Sequence, residues 1–247
     1  MTGIYFSGTG NTKHCLSVFL DRFGGKMFSI EDENTVPALK SDNDIVFAYP
    51  IYYSSLPKIA HDFIVRNKDL WIGKRIYIVA TMGLFSGDGA GVSARLFLRY
   101  GAEILGGLHL RMPDCIGDVS ALKKSEEENK KLIEAARSKA ENAAKLFSEG
   151  KPVREGLGFF SRFSGLFGQR LWFGSKTRNY AESPSFDGEK CVGCGVCSEC
   201  CPMKNMLVEN GKAVGGNRCT MCYRCFSKCP KQAVTIIGKK VIEQYRA

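Results

Sequence analysis

Eight cysteines near the carboxyl end of the chain have a spacing that suits one kind of chemistry. They form two runs, each with three cysteines at every third position and a fourth cysteine four residues further on, directly before a proline. The first run is Cys191, Cys194, Cys197 and Cys201, and the second is Cys219, Cys222, Cys225 and Cys229. Three thiolates at this spacing wrap a tight loop around one iron–sulfur cubane, and the cysteine before the proline ligates the other cubane.

This rule divides the cysteines into two ligand sets. Cluster I takes Cys191, Cys194, Cys197 and Cys229, and cluster II takes Cys219, Cys222, Cys225 and Cys201. A zinc module is the alternative, because paired cysteines also bind zinc, but a four-cysteine zinc site needs neither the third cysteine nor the prolines. Cys200 is an ambiguous neighbour of Cys201, and Pro202 favours Cys201 as the ligand.

The two runs are copies of one unit, since Cys219 follows Cys191 by 28 residues. Residues 207–214 predict a hairpin that turns at Asn210 and Gly211. The repeat resembles the bacterial two-[4Fe–4S] ferredoxins over about residues 185–238. Both clusters are therefore expected to be [4Fe–4S] clusters.

The other candidates for side-chain chemistry are weak. Cys15 and Cys115 are interpreted as inert buried cysteines, and His14, His61 and His109 are scattered along the chain. Neither a Ser-His-Asp set nor a nicotinamide fingerprint occurs. No catalytic side chain is predicted, so the chemistry available is that of bound cofactors.

A second candidate site lies at the amino end, where a loop of small residues follows a short apolar strand. The loop consists of Ser7, Gly8, Thr9, Gly10, Asn11 and Thr12. Successive backbone N–H groups at a helix N-terminus make an anion site. The loop is neither a Walker loop nor the dinucleotide fingerprint, because Lys13 stands where the third glycine would be.

The elements around this loop predict its surroundings. Strand signals at residues 3–7, 26–30, 44–49, 75–80 and 107–112 alternate with helix signals at 11–23, 57–66, 89–100 and 120–149. This alternation predicts an α/β fold, a doubly wound five-stranded parallel sheet, over residues 1–150. Ligands of such sheets bind beyond the carboxyl ends of the strands, where residues 49–57 and 81–91 form two further loops.

With these three loops the chain resembles the flavodoxin family. The resemblance implies non-covalently bound FMN, with its phosphate on residues 7–12 and its ring near the two later loops. The implied ring contacts are Pro50, Tyr52, Tyr53, Gly83, Leu84, Phe85 and Gly87. The alternative is a flavodoxin-like domain that has lost its flavin. With a small α+β ferredoxin domain at residues 185–247, the whole chain resembles the ferredoxin–flavodoxin fusions of anaerobes.

The chain has a formal charge of +10, which is concentrated between the two predicted domains. Residues 151–181 hold six basic residues and one acidic residue. The linker, residues 151–184, is also aromatic, and packing between the domains is favoured over a membrane-surface helix or nucleic-acid stacking. The negative charge of the cluster thiolates would offset much of the positive charge of the ferredoxin segment. No nucleic-acid partner is therefore predicted. No membrane span or signal peptide is predicted either, and a cytoplasmic protein is expected.

The leading hypothesis is an electron-transfer module that passes electrons between two [4Fe–4S] clusters and FMN, and on to or from a redox partner protein. The main alternative is an FMN-dependent reductase of a small acceptor such as a quinone, nitro compound or enoate. In that case Tyr52, Tyr53 and Phe85 would line a substrate pocket. A weaker alternative is a redox or oxygen sensor whose partner affinity depends on the state of the clusters.

Overall fold

The structure is a computed structural model that describes residues 1–52, 55–84, 89–158 and 184–245. Its first part is a parallel sheet of five strands with the order β2-β1-β3-β4-β5. The strands are β1 (Thr2–Tyr5), β2 (Lys26–Ser29), β3 (Asp44–Pro50), β4 (Arg75–Met82) and β5 (Glu103–Arg111). This order is that of the flavodoxin-like doubly wound folds, which confirms the predicted fold class.

Helices cover both faces of the sheet because β3 and β4 are apolar on both sides. The helices are α1 (Asn11–Asp21), α2 (Thr35–Ser41), α3 (Lys58–Arg66), α4 (Gly89–Arg99) and α5 (Glu126–Ser148). One face packs Phe47 and Ile78 against α3 and α4, around the buried Trp71. The other packs Val46 and Tyr77 against α1 and α5. Packing of helices on both faces of the sheet holds in place the strand ends that carry the loops.

Three elements differ from the sequence prediction. Helix α5 begins at Glu126, because Ser125 and Glu128 form a reciprocal capping box, and residues 120–122 form a separate 3-10 turn. Strand β5 begins at Glu103, four residues before the predicted start. Its first three residues are exposed or half-buried, and its buried portion begins at Gly106. Helix α2 was not predicted, since its seven residues are too few for a clear apolar period.

The chain after α5 runs along the free edge of β5. The Gly107 amide donates to the Val153 carbonyl at 2.9 Å, and the Glu155 amide donates to the Gly107 carbonyl at 2.8 Å. The Glu155 carboxylate also accepts from the His109 amide at 2.8 Å. The first residues of the predicted linker are therefore fixed on the sheet, and the linker's aromatic stretch at residues 159–183 lies outside the described residues.

The second part of the chain is built on the cysteine repeat. It contains β6 (Ser185–Phe186) paired with β9 (Val234–Thr235), the hairpin β7 (Met206–Glu209) and β8 (Lys212–Gly215), and two short helices, α6 (Val196–Glu199) and α7 (Arg224–Lys228). The hairpin turns at Asn210 and Gly211, with φ of 49° and 72°, which confirms the predicted turn. Among the described helices, none has the length and apolar character needed to cross a membrane.

Candidate functional site

The predicted loops meet in one cavity at the carboxyl edge of the sheet, which we call the loop pocket. It is lined at the three predicted loops by Ser7, Gly8, Thr9, Asn11, Thr12, Pro50, Ile51, Tyr52, Thr81, Met82, Gly83 and Leu84. Gly10 lies beside it, on the wall of an adjoining cavity. Tyr53, Phe85 and Gly87 lie outside the described residues. The structure thus brings together most of the residues that the resemblance assigns to FMN.

The 7–12 loop is held in shape by its own side chains. The Ser7 hydroxyl accepts from the Gly10 amide at 3.1 Å, and Gly10 has a φ of 107° that favours glycine. Helix α1 begins directly afterwards, at Asn11. The hydroxyls of Thr12 and Thr81 share a buried hydrogen bond of 2.7 Å, which joins this loop to the end of β4. The arrangement suits an anion, because the positive end of α1 and the loop amides face the same pocket.

A fourth loop, which sequence reasoning missed, completes the pocket. It follows β5 and contributes Met112, Pro113, Asp114, Cys115 and Ile116. The Asn11 side chain donates to the Pro113 carbonyl at 2.9 Å, so this loop is tied to α1. The available signal was its position at the carboxyl end of the fifth strand, at the same edge as the other loops.

The fourth loop brings two buried ionisable side chains to the pocket wall. Burial raises the pKa of the Asp114 carboxyl above its ordinary value. Burial, with the nearby Asp114 and Cys222, likewise raises the pKa of the Cys115 thiol. Both shifts disfavour negative charge at this wall, which suits a large uncharged ring more than a second anion.

The eight repeat cysteines line two separate cavities. One cavity, the cluster I cavity, is lined by Cys191, Cys194, Cys197 and Cys229, together with Phe186 and Val234. The other, the cluster II cavity, is lined by Cys201, Cys219, Cys222 and Cys225, together with Met206 and Ile236. This is the division that the spacing predicts. Each set fits a cubane: four thiols, three from one run and one from the other, surround an otherwise apolar space.

Each cavity also offers backbone amides to its cysteine sulfurs. In the cluster I cavity the Ala213 amide donates to Cys191 Sγ and the Ala233 amide to Cys229 Sγ, both at 3.3 Å. In the cluster II cavity the Asn205 amide donates to Cys201 Sγ at 3.3 Å. Such bonds stabilise thiolates, as ligands of iron must be, and raise the reduction potential of a bound cluster.

The described residues contain no group of three His, Cys, Asp or Glu side chains that could hold a single metal ion. This agrees with the two cysteine cavities, because the four cysteines of a cubane bind four different iron atoms and their sulfurs lie further apart than those around one ion.

The second cysteine run, residues 219–229, supplies three of the four cluster II cysteines, and we call it the cluster II run. It lies against the loop pocket. Met221 and Tyr223 from this run are part of the pocket wall. Tyr223 also lines the cluster II cavity, so this residue borders both spaces. The Tyr223 hydroxyl donates to Asp118 Oδ1 at 2.9 Å, and Asp118 Oδ2 accepts from the Ile236 and Ile237 amides at 2.8 and 2.9 Å. Asp118 thus fixes the cluster II run on the chain segment that follows β5.

A second set of contacts joins the cluster II run to the 7–12 loop. A methyl group at Gly8 would collide with the Cys222 carbonyl oxygen and lie 2.8 Å from the Tyr52 hydroxyl. Only glycine permits this close approach. Arg224 donates to the Ser7 carbonyl at 2.9 Å and forms a two-pronged ion pair with Glu31, with both N–O distances 2.7 Å. The two cysteine cavities are therefore not equivalent, and the cluster II cavity is the inner one.

In the described part of the chain, the cluster I cavity shares no lining residue with the loop pocket, whereas the cluster II cavity shares Tyr223 with it. Cys194 is exposed, whereas its counterpart Cys222 is buried. Among the described residues, the first copy of the repeat thus faces outward and the second faces the sheet domain.

Comparisons with known proteins agree with this two-part architecture. The family model of a flavodoxin domain matches residues 4–103, and that of a 4Fe-4S dicluster domain matches residues 183–241. The chain therefore joins a flavodoxin domain to a ferredoxin-type 4Fe-4S dicluster domain, as the sequence predicts. Its class is that of an iron–sulfur flavoprotein electron carrier, with a flavin and iron–sulfur clusters as its implied cofactors.

Similar solved structures cover the first domain. The two-electron reduced flavodoxin of Megasphaera elsdenii is 23% identical, with a TM-score of 0.42, over 56% of this chain and 99% of that one. Oxidised flavodoxin 2 of Bacillus cereus is 20% identical, with a TM-score of 0.42, over 60% of this chain and 97% of that one. A search of curated proteins found no match.

Proposed function

We propose that this chain carries electrons between two [4Fe–4S] clusters and FMN, and on to or from a redox partner protein. The observation that carries the proposal is the position of Tyr223, which lines both the cluster II cavity and the loop pocket. A single residue thus borders both proposed cofactor sites. Eight thiolate ligands suit a reducing compartment, and we place the protein in the cytoplasm.

The proposed order of sites is cluster I, cluster II and flavin. Cys219, Cys222, Cys225 and Cys201 would hold cluster II beside the loop pocket, and Cys191, Cys194, Cys197 and Cys229 would hold cluster I on the outside. The exposure of Cys194 makes the cluster I end the natural point of exchange with a partner protein. Cys222 is buried under the 7–12 loop, so water would be excluded from the electron transfer between cluster II and the flavin.

The FMN phosphate would be held by the amides and hydroxyls of the 7–12 loop, at the start of α1. Tyr52, Gly83 and Leu84 would lie along the ring, with the 112–116 loop opposite. When bound, a flavin supplies a centre that exchanges electrons singly or in pairs, which couples one-electron clusters to two-electron partners. The side chains here position and enclose the cofactor, and none is placed for acid–base catalysis.

The experiment begins with anaerobic purification and analysis of iron, sulfide and flavin. About eight iron and one FMN per chain are expected. Stopped-flow spectroscopy should then show that prereduced clusters reduce the flavin within one chain, at a rate independent of protein concentration. A loaded protein whose clusters stay reduced beside oxidised flavin would refute the proposal.

A second candidate is the flavin-dependent reductase of a small acceptor. It is favoured by a cavity of about 810 Å³ that adjoins the loop pocket and shares Asn11, Met112, Asp114 and Ile116 with it. Steady-state turnover of quinones or nitro compounds without any partner protein would support this function. Turnover that appears only when a protein acceptor is added would exclude it.

A further inference from the structure

Arg224 uses its whole guanidinium group at the contact between the two domains. Its Nε donates to the Gly8 carbonyl at 3.3 Å, and its Nη2 donates to the Ser7 carbonyl at 2.9 Å. Its Nη1 donates to the Cys200 carbonyl at 3.3 Å, and both Nη atoms contact the Glu31 carboxylate at 2.7 Å. All five N–H donors of the side chain therefore have partners.

Two of these partners are carbonyls of the 7–12 loop. Holding each carbonyl also fixes the direction of the N–H group in the same peptide bond. In a trans peptide the C=O and N–H bonds point in opposite directions. Holding the Ser7 and Gly8 carbonyls towards Arg224 therefore turns the Gly8 and Thr9 N–H groups away from it. Within the described part of the chain, no hydrogen-bond partner is recorded for these two amides. They are thus available to an anion bound at the loop.

We propose that Arg224 is a positioning residue for flavin binding: by holding the Ser7 and Gly8 carbonyls, it orients the loop amides towards the flavin phosphate. This inference rests on the proposed binding of FMN in the loop pocket. Glu31 supports this role, because its carboxylate, which belongs to the flavodoxin domain, holds the Arg224 guanidinium in place. The two residues are 193 positions apart in the sequence. The ferredoxin domain then helps to build the phosphate site of the flavodoxin domain.

Orientation and simple charge attraction make opposite predictions for Glu31. If Arg224 acted only as a positive charge near the phosphate, the Glu31→Gln change would remove a nearby negative charge and strengthen FMN binding. If Arg224 acts by orientation, the same change frees the guanidinium and weakens FMN binding. Arg224→Lys is a second test of orientation against charge attraction. Lysine keeps the positive charge but lacks the planar guanidinium group that binds several acceptors at once.

The experiment measures dissociation constants for FMN and for riboflavin, which lacks the phosphate. It uses the full chain, loaded with clusters and freed of flavin. Arg224→Met, Arg224→Lys and Glu31→Gln should each raise the FMN constant by about tenfold, the loss expected for a charge-assisted hydrogen bond, with the riboflavin constant nearly unchanged. Arg22→Met is the matched control, since Arg22 lies at the opposite end of α1 from the 7–12 loop, where it donates to the Ser148 hydroxyl.

Each outcome decides the proposal. Equal losses for FMN and riboflavin, tighter FMN binding by Glu31→Gln, or full rescue by Arg224→Lys would each overturn it. Iron and sulfide analysis of every variant shows whether the Arg224 changes damage cluster II, and if they do, Glu31→Gln decides alone. A wild-type chain that binds no FMN would instead overturn the proposed function, and the inference with it.

Discussion

Gly195 and Tyr223 occupy the same place in the two copies of the cysteine repeat, and both have the left-handed backbone conformation, with φ of 80° and 57°. Glycine adopts this conformation freely, whereas a tyrosine there carries strain of order 1 kcal/mol. Gly193 and Met221 repeat the relationship, with φ of 65° and 55°. The two strained residues are those that line the loop pocket. The strain therefore accompanies side chains that face the flavodoxin domain.

This relationship predicts the effect of giving the second copy the residue of the first. Tyr223→Gly should relieve backbone strain and leave cluster II assembled, but slow the reduction of flavin by prereduced clusters, because the side chain of a residue that lines both cavities is lost. Tyr223→Phe should keep the ring and lose the hydrogen bond to Asp118, which stabilises the contact by about 1.5–3 kcal/mol. Its rate should lie closer to wild type.

Stopped-flow absorbance measures both rates, and the iron content of each variant is the control for cluster loss. Tyr100→Phe changes a half-buried tyrosine directly after α4, outside both cavities, and serves as the matched substitution. A Tyr223→Gly variant with full iron content and the wild-type rate would show that the ring has no part in the transfer.

Gly8 predicts a second way to disturb the contact, from the flavodoxin side. Gly8→Ala places a methyl group against the Cys222 carbonyl and 2.8 Å from the Tyr52 hydroxyl. Because one neighbour is backbone, relief requires the two domains to separate or the loop to move, at a cost of about 1–3 kcal/mol. We expect faster hydrogen–deuterium exchange in residues 219–226 and slower electron transfer to flavin.

Gly188→Ala is the control for this change, since none of the residues that the structure describes comes within 4 Å of a methyl group there. Both variants lose the same backbone freedom in the unfolded chain, so a difference between them reports on space alone. If Gly8→Ala exchanged and transferred electrons as Gly188→Ala does, the close approach of the two domains would have to be abandoned.

Local chemistry explains what the sequence was able to predict. The alternation of strands and helices along the chain followed from apolar patterning, and the division of the cysteines followed from their spacing to Pro202 and Pro230. The 7–12 loop was visible because its glycines and hydroxyls are contiguous in the chain. Each of these signals lies within a few residues, where propensity and spacing are informative.

What the sequence did not reveal depends on contacts between distant residues. Arg224 and Glu31 are ordinary charged residues until the fold brings them to 2.7 Å. Asp118 reads as a loop carboxylate, yet it is buried and accepts three hydrogen bonds from residues more than 100 positions away. The 112–116 loop was missed because it has no glycine signature, although the predicted end of β5 lies within one residue of the observed end.

The buried thiol of Cys15 gives a prediction about pH. Burial raises the pKa of Cys15 to about 12, so its reactive thiolate forms in the native protein only under strongly alkaline conditions. In the unfolded chain the thiol ionises near its ordinary value of 9.0. Between these values the unfolded state loses the proton first, so this group lowers the stability of the fold as pH rises through that range.

Alkylation with iodoacetamide, read by peptide mass spectrometry, checks this. Between pH 8 and pH 10 Cys15 should become more reactive in the guanidinium-unfolded chain and stay unlabelled in the native one, where it is 1% exposed. Native labelling of Cys15 that rises with pH as in the unfolded chain would contradict the burial of this thiol between α1 and the sheet.

The neighbouring thiols Cys200 and Cys201 make the final prediction, because only one of them lines the cluster II cavity. Cys201 Sγ accepts from the Asn205 amide at 3.3 Å, whereas Cys200 Sγ points to the Cys197 carbonyl, 3.8 Å away. Cys201→Ala should therefore lose about half of the iron and the EPR signal of one cluster, since one of four ligands is missing. Cys200→Ala should keep about eight iron per chain.

The pair is its own matched control, because both changes remove one thiol from adjacent positions. Flavin reduction should be impaired in Cys201→Ala, in which the inner cluster is damaged, and should remain near wild type in Cys200→Ala. The reverse pattern, with iron lost only from Cys200→Ala, would exchange the roles of the two cysteines. It would also mean that Pro202 does not select the ligand beside it, and the division of ligands between the two cavities would have to be redrawn.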